Sequence, residues 1–130
     1  MTSKAPKILL RWHGLKRNKT EDGCPILPKA DLYIDCRGIA EHGIEGNTGH
    51  TNSFQEGIKA ASPLSLGAMT TLIVDSLRFI ETRRSGKPDP FKEPYVVCFM
   101  CAWGMHRSPA TASVVGEKLK ELGFHTVLQP

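Results

Sequence analysis

The chain has 130 residues, 40% hydrophobic and 23% charged, the make-up of a soluble globular domain and not of a disordered or fibrous one. One domain is the natural count at this length, with a core that needs no metal or disulfide support. Lys and Arg total 17 against 13 Asp and Glu, a formal net charge of +4; the excess suits anionic ligands such as phosphates and RNA, and a solvated basic surface accounts for it equally well.

Reading from the start, MTSKAPK is short and polar. No signal peptide with a cleavage site and no apolar run of 18 residues is found, so the expected location is cytoplasmic, with no membrane partner. KILLRW, 7–12, predicts a first strand, followed by a polar connection, HGLKRNKTEDGCPILPK, punctuated by Gly and Pro. DLYIDC, 31–36, predicts a second strand. The next segment, GIAEHGIEGNTGHTNSF, carries Gly38, Gly43, Gly46 and Gly49. A loop this long in a small domain is either functional or plain surface.

A short helical stretch is expected at 54–61, and Ser62–Pro63 signals a new helix start. Leu66, Met69, Ile73, Leu77 and Ile80 recur at three- and four-residue intervals, giving that helix one apolar face until RRSGKPDP. YVVCFM, 95–100, is a continuous apolar run, the mark of a strand buried on both sides. Ser108–Pro109 then opens a final helix, with Ala112, Val115, Leu119 and Leu122 on one face and Gly123 as the stop. HTVLQ predicts a last strand. Strands alternating with helices argue for an α/β single domain spanning 1–130, a small, mainly parallel sheet flanked by helices in a Rossmann-like three-layer arrangement.

The cysteines are Cys24, Cys36, Cys98 and Cys101. CFMC is a C-x-x-C, but no second pair and no histidines at ligand spacing accompany it, so a redox or metal role for the pair is the lesser reading and no cofactor is expected. Cys98, inside the apolar run, reads as a buried strand residue.

CAWGMHRSP places a loop between a buried strand and a helix N-terminus, where free N–H groups and the helix dipole favour an anion. The candidate phosphate-binding residues are Ala102, Trp103, Gly104, Met105, His106, Arg107 and Ser108. Gly104 lets the backbone turn inward, and Arg107 offers a planar fork for two oxygens. Trp103 either stacks on a sugar or base or packs on the domain. The dipole, His106 and Arg107 would favour the Cys101 thiolate, the equipment of a covalent phosphoenzyme mechanism. Ser108 either bonds the thiolate or caps the helix, and capping alone explains it.

Ligands of parallel sheets sit beyond the carboxyl ends of the strands. If the strands are parallel neighbours, Arg11, Trp12 and His13 of the first and Asp35, Cys36 and Arg37 of the second converge with this loop. A phosphatase needs an acid for its leaving group. Asp35 is the first candidate and His50 the second; an ion pair of Asp35 with Arg37 or Arg107 is the competing role.

C-x5-R-S resembles the signature loop of cysteine-dependent phosphatases. A broader likeness covers residues 7–130. YVVCFMCAWGMHRSPATASVVGEKLKELGF is similar to the C-terminal domain of the RapZ family of RNase adapter proteins, with C-x-x-G-x-H-R-S carried by Cys101, Gly104, His106, Arg107 and Ser108. DLYIDCRGI is similar to that family's strand ending in D-x-R, carried by Asp35 and Arg37. The resemblance implies an α/β domain that binds an aminosugar phosphate and a small RNA and acts as a sensor or adapter. The chain departs from the family in three places. It has no G-x-x-x-x-G-K-[ST], Ala102 and Trp103 stand where the family loop is glycine-rich, and no Asn-Pro follows D-x-R. LYIDCRG and LGFHTV also resemble, more weakly, rhodanese-like domains, although five residues between Cys and Arg suit phosphate better. The expected partners are a phosphorylated small molecule, a sugar phosphate or nucleotide, and as a further class RNA. A homo-oligomer through an open sheet edge stays an alternative that nothing in the sequence selects.

Overall fold

The protein's computed structural model describes residues 8–16, 19–24, 26–37, 55–56, 58–59, 63–84, 86, 94–101 and 107–129. In chain order they form β1 (Ile8–Gly14), β2 (Leu32–Asp35), α1 (Pro63–Arg84), β3 (Tyr95–Cys101), α2 (Arg107–Glu121) and β4 (Thr126–Leu128). Residues 55–56 and 58–59 are also helical, within the stretch expected at 54–61.

The four strands make one sheet in the order β2-β3-β1-β4, and every pairing is parallel. β3 is central, pairing Ile8 with Tyr95 through to Gly14 with Cys101 on one side, and Leu32 with Val97 through to Asp35 with Met100 on the other. β1 and β3 each run past their expected ends, because each supplies the other's hydrogen bonds to Gly14 and Cys101. The ladder continues into the loops: Leu15 N–H donates to the Cys101 carbonyl at 2.8 Å, and Cys36 N–H to the Met100 carbonyl at 2.7 Å.

Register sorts the side chains. Residues paired in a parallel sheet share a face, and alternate residues swap faces. Ile8, Leu10, Trp12, Ile34, Tyr95, Val97, Phe99 and Cys101 therefore line one face, and Leu9, Arg11, His13, Tyr33, Asp35, Cys98 and Met100 the other. The steps β2→β3 and β3→β4 run in the same direction across the sheet, so right-handed crossovers bring α1 and α2 onto the same face. There Leu66, Ile73 and Leu77 of α1 join Val114, Val115 and Leu119 of α2 over Ile8, Leu10, Val97 and Phe99, all at most 1% exposed. Met69 and Ile80 pack at the margin of this core. The step β1→β2 runs the opposite way. Its connection reaches the other face, where the Tyr33 hydroxyl accepts from Ala30 N–H and donates to the Pro28 carbonyl at 2.6 Å.

α1 meets the length and composition of a membrane-crossing helix, with a mean hydropathy of 1.2 over an 18-residue window within Pro63–Arg83. Its Leu66, Ile73 and Leu77 stripe lies in the core, while Leu64 and Phe79, on the outer side, are 88% and 61% exposed.

α2 ends as a glycine-closed helix should. Gly123, at φ 96°, donates to Lys120, and Phe124 donates to Leu119, the paired bonds of a Schellman motif. This ending corrects the expected face of the helix: Leu122 sits in the closing turn, 62% exposed, not in the core. Gly116 lies where α2 crosses the sheet, and a Cβ there would stand 3.3 Å from Leu10 Cδ1.

Gly116→Val should therefore destabilise the fold by about 1–3 kcal/mol through overpacking. Gly67→Ala, in α1 with open space around it, should stabilise it by up to about 1 kcal/mol through helix propensity. Urea denaturation of both variants checks the pair.

Candidate functional site

The central strand delivers Cys101 to the carboxyl edge of the sheet, and α2 begins six residues later at Arg107. Ala102, Trp103, Gly104, Met105 and His106 lie outside the described residues, as does His50. The two ends of the loop are described, and they touch. Cys101 Sγ is 3.1 Å from Ser108 Oγ, with Cys101 5% and Ser108 0% exposed. Ser108 is the second residue of the helix, so its hydroxyl is turned onto the thiol instead of occupying the cap position. A hydroxyl there can donate to a thiolate and favour it.

The helix start is set into the domain. Ser108, Pro109, Ala110, Thr111 and Ala112 are all buried, and the first turn holds no acidic residue. Its N-terminal field is therefore not offset by a carboxylate of its own turn. Arg107 is half-buried at the first helical position and engaged by neighbouring groups.

Cys36 completes this cluster. It follows β2 directly, is fully buried, and stands opposite Cys101 on the helix-covered face. Burial pushes its thiol up to about 12 from an ordinary 9.0, and the neighbouring Cys101 and Asp35 act in the same direction. The nearby Thr111 hydroxyl, one turn beyond Ser108, opposes that burial and favours the Cys36 thiolate. Sequence reasoning named Cys36 at a strand end but gave it no role, and it missed Thr111. The alternation of β2 was the available signal, since it sets Cys36 and Asp35 on opposite faces.

The remaining candidates reach the same edge on the other face. Asp35 and Arg37 form a bidentate pair, with Arg37 Nη2 to Asp35 Oδ2 at 2.7 Å and Nε to Oδ1 at 3.0 Å. This hydrogen bonding holds the Asp35 carboxyl below its ordinary 3.8. A carboxyl so held is a poor proton donor near neutral pH, and register turns it away from Cys101. Asp35 thus takes the ion-pair role that competed with general acid, with Arg37 as its partner. Arg11 pairs with Cys98 and His13 with Met100, so both share the Asp35 face. His13 Nε2 is buried with no hydrogen-bond partner among the described residues. Cys98 is fully buried within β3, as expected; burial raises its thiol pKa, and the charge of Arg11 opposes the shift. Cys98 and Cys101 fall on opposite faces, so the C-x-x-C does not present a joint ligand pair. Among the described residues no group of three or more His, Cys, Asp or Glu is placed to hold a metal.

No protein-family model matches the chain, and no curated protein matches it in sequence.

Because the Cys36 thiol titrates higher when folded than when unfolded, its contribution to stability is fully present below pH 9 and is lost as the pH rises from there toward 12. The stability difference between the wild type and Cys36→Ala should be constant from pH 6 to 8 and shrink by up to about 1.4 kcal/mol per pH unit above pH 9. Denaturant titrations at stepped pH measure it. Iodoacetamide at pH 8 should label the exposed Cys24 and spare Cys36 and Cys98 in the folded protein.

Proposed function

We propose that the chain is a phosphate-binding α/β domain, a receptor for a phosphorylated small molecule held at the carboxyl edge of the sheet by the segment from Cys101 to Ser108. The observation that carries this reading is the strand-to-helix junction. A central parallel strand ends at Cys101 and a helix begins at Arg107, with a buried first turn free of acidic residues. Backbone N–H groups, the helix dipole and the Arg107 guanidinium would together supply the donors for a phosphate. The resemblance of C-x-x-G-x-H-R-S and D-x-R to the RapZ C-terminal domain supports a sugar phosphate as the ligand class. It also supports a sensor or adapter role in which RNA is a second partner. The net charge of +4 is compatible with both ligands.

The 3.1 Å contact between Cys101 Sγ and Ser108 Oγ favours a second reading, a cysteine-dependent phosphatase. In it Cys101 attacks phosphorus, Arg107 clamps the equatorial oxygens and Ser108 stabilises the thiolate. The receptor is preferred because that reaction also needs a proton for the leaving group. Asp35, the acid expected for it, is tied to Arg37 on the other face.

Two assays on one set of proteins separate the readings. Inorganic phosphate and a hexosamine phosphate should raise the melting temperature of the wild type and of Cys101→Ser. Arg107→Ala should weaken that binding about tenfold or more, the worth of a charge-assisted hydrogen bond of about 1.5–3 kcal/mol. Hydrolysis of an aryl phosphate between pH 5 and 8 should be absent. Turnover that disappears in both Cys101→Ser and Arg107→Ala would establish the phosphatase instead. Absence of both protection and turnover would remove both readings.

A further inference from the structure

Two of the four cysteines stand face to face across neighbouring strands. Asp35 pairs with Met100, and the Cys36 N–H donates to the Met100 carbonyl, which carries the ladder one residue further and sets Cys36 beside Cys101. Both belong to the helix-covered face, as their burial shows at 0% and 5% exposure. Parallel neighbours lie about 4.8 Å apart, within the roughly 4.4–6.8 Å Cα separation that a disulfide spans. Each thiol has a hydroxyl of the same helix face near it, Ser108 for Cys101 and Thr111 for Cys36. None of the four cysteines is in a disulfide in the structure.

We infer that Cys36 and Cys101 are an oxidation site, a dithiol that hydrogen peroxide converts to an intramolecular disulfide joining the ends of β2 and β3. Cys101 is the attacking thiol, since it stands at a helix N-terminus with a hydroxyl donor. Its thiolate takes one oxygen from hydrogen peroxide, the O–O bond breaks, and the other oxygen leaves as water after protonation. The product is the sulfenic acid of Cys101. The Cys36 sulfur then displaces the sulfenic hydroxyl, and the Cys36 proton leaves with it as a second water. Two thiols lose two electrons, and one peroxide becomes two waters. The disulfide withdraws the Cys101 thiol from the edge of the sheet and fixes the start of its loop. Resolution by Cys36 also keeps Cys101 from advancing to the irreversible sulfinic acid. This inference stands on the register alone and does not depend on phosphate binding.

The test is peroxide treatment of the reduced full chain, alkylation of the remaining thiols, and non-reducing peptide mapping. The expected result is a monomer lighter by two hydrogens, with one reducible link between the peptide of Cys36 and the peptide of Cys98 and Cys101. Cys98→Ser should retain that link. Cys36→Ser should lose it and instead accumulate oxygen on Cys101. A link from Cys98 in place of Cys101, a dimer joined through Cys24 alone, or Cys101 driven to the sulfinic acid in the wild type would each overturn the assignment. Fragmentation of the linked wild-type peptide, which shows whether Cys98 or Cys101 carries the alkyl group, decides the matter even if a variant fails to fold.

Discussion

The parallel pairing of β3 between β1 and β2 is the constraint on which the rest depends. Because all three strands run the same way, their carboxyl ends meet at one edge, and whatever chemistry the chain has at strand ends is collected there. An antiparallel β1 or β2 would send that strand's residues to the opposite end. The same directionality decides the layers. Two successive crossovers in one direction lay α1 and α2 on one face, which buries Val97 and Phe99 beneath them and brings the first turn of α2 down onto Cys101.

From that constraint a division follows. At the shared edge the sheet separates the ends of its strands into two environments about one strand thickness apart. On the helix-covered side lie two thiols and two hydroxyls, all in buried residues. On the other side lie the exposed Asp35–Arg37 pair, the half-buried Arg11 and the buried Nε2 of His13. An exposed ion pair of this kind contributes at most about 1 kcal/mol, so its stronger effect is on chemistry: it keeps Asp35 ionised and orients Arg37. A ligand anion reaching over the edge from Arg107 would meet cationic groups beyond it on the far side.

Much of this was written in the residue pattern. The period of Leu66, Ile73 and Leu77, the continuous run YVVCFM and the Pro and Gly at the helix ends each carry a local physical signal, and each marks an element where the structure has one. Three features were not readable in the same way. Leu122 fits the helical period but falls after the last helical residue, because Gly123 closes the helix through bonds that begin at Leu119. The face occupied by Asp35 depends on its register with Met100, a relation between strands that neither strand encodes alone. Ser108 satisfies the cap rule in sequence, yet its hydroxyl turns to a thiol seven positions away, a preference that exists only once the strand end and the helix start are side by side.

The most direct test of the central claim is residue-resolved mapping of phosphate binding, by amide chemical shifts of the labelled protein titrated with inorganic phosphate and with a hexosamine phosphate. Saturable shifts should concentrate at Cys101, Arg107, Ser108 and Ala110, with the far ends of the strands at Asp31 and Tyr95 unmoved. Shifts that centre on those far ends, or that never saturate anywhere, would contradict the claim.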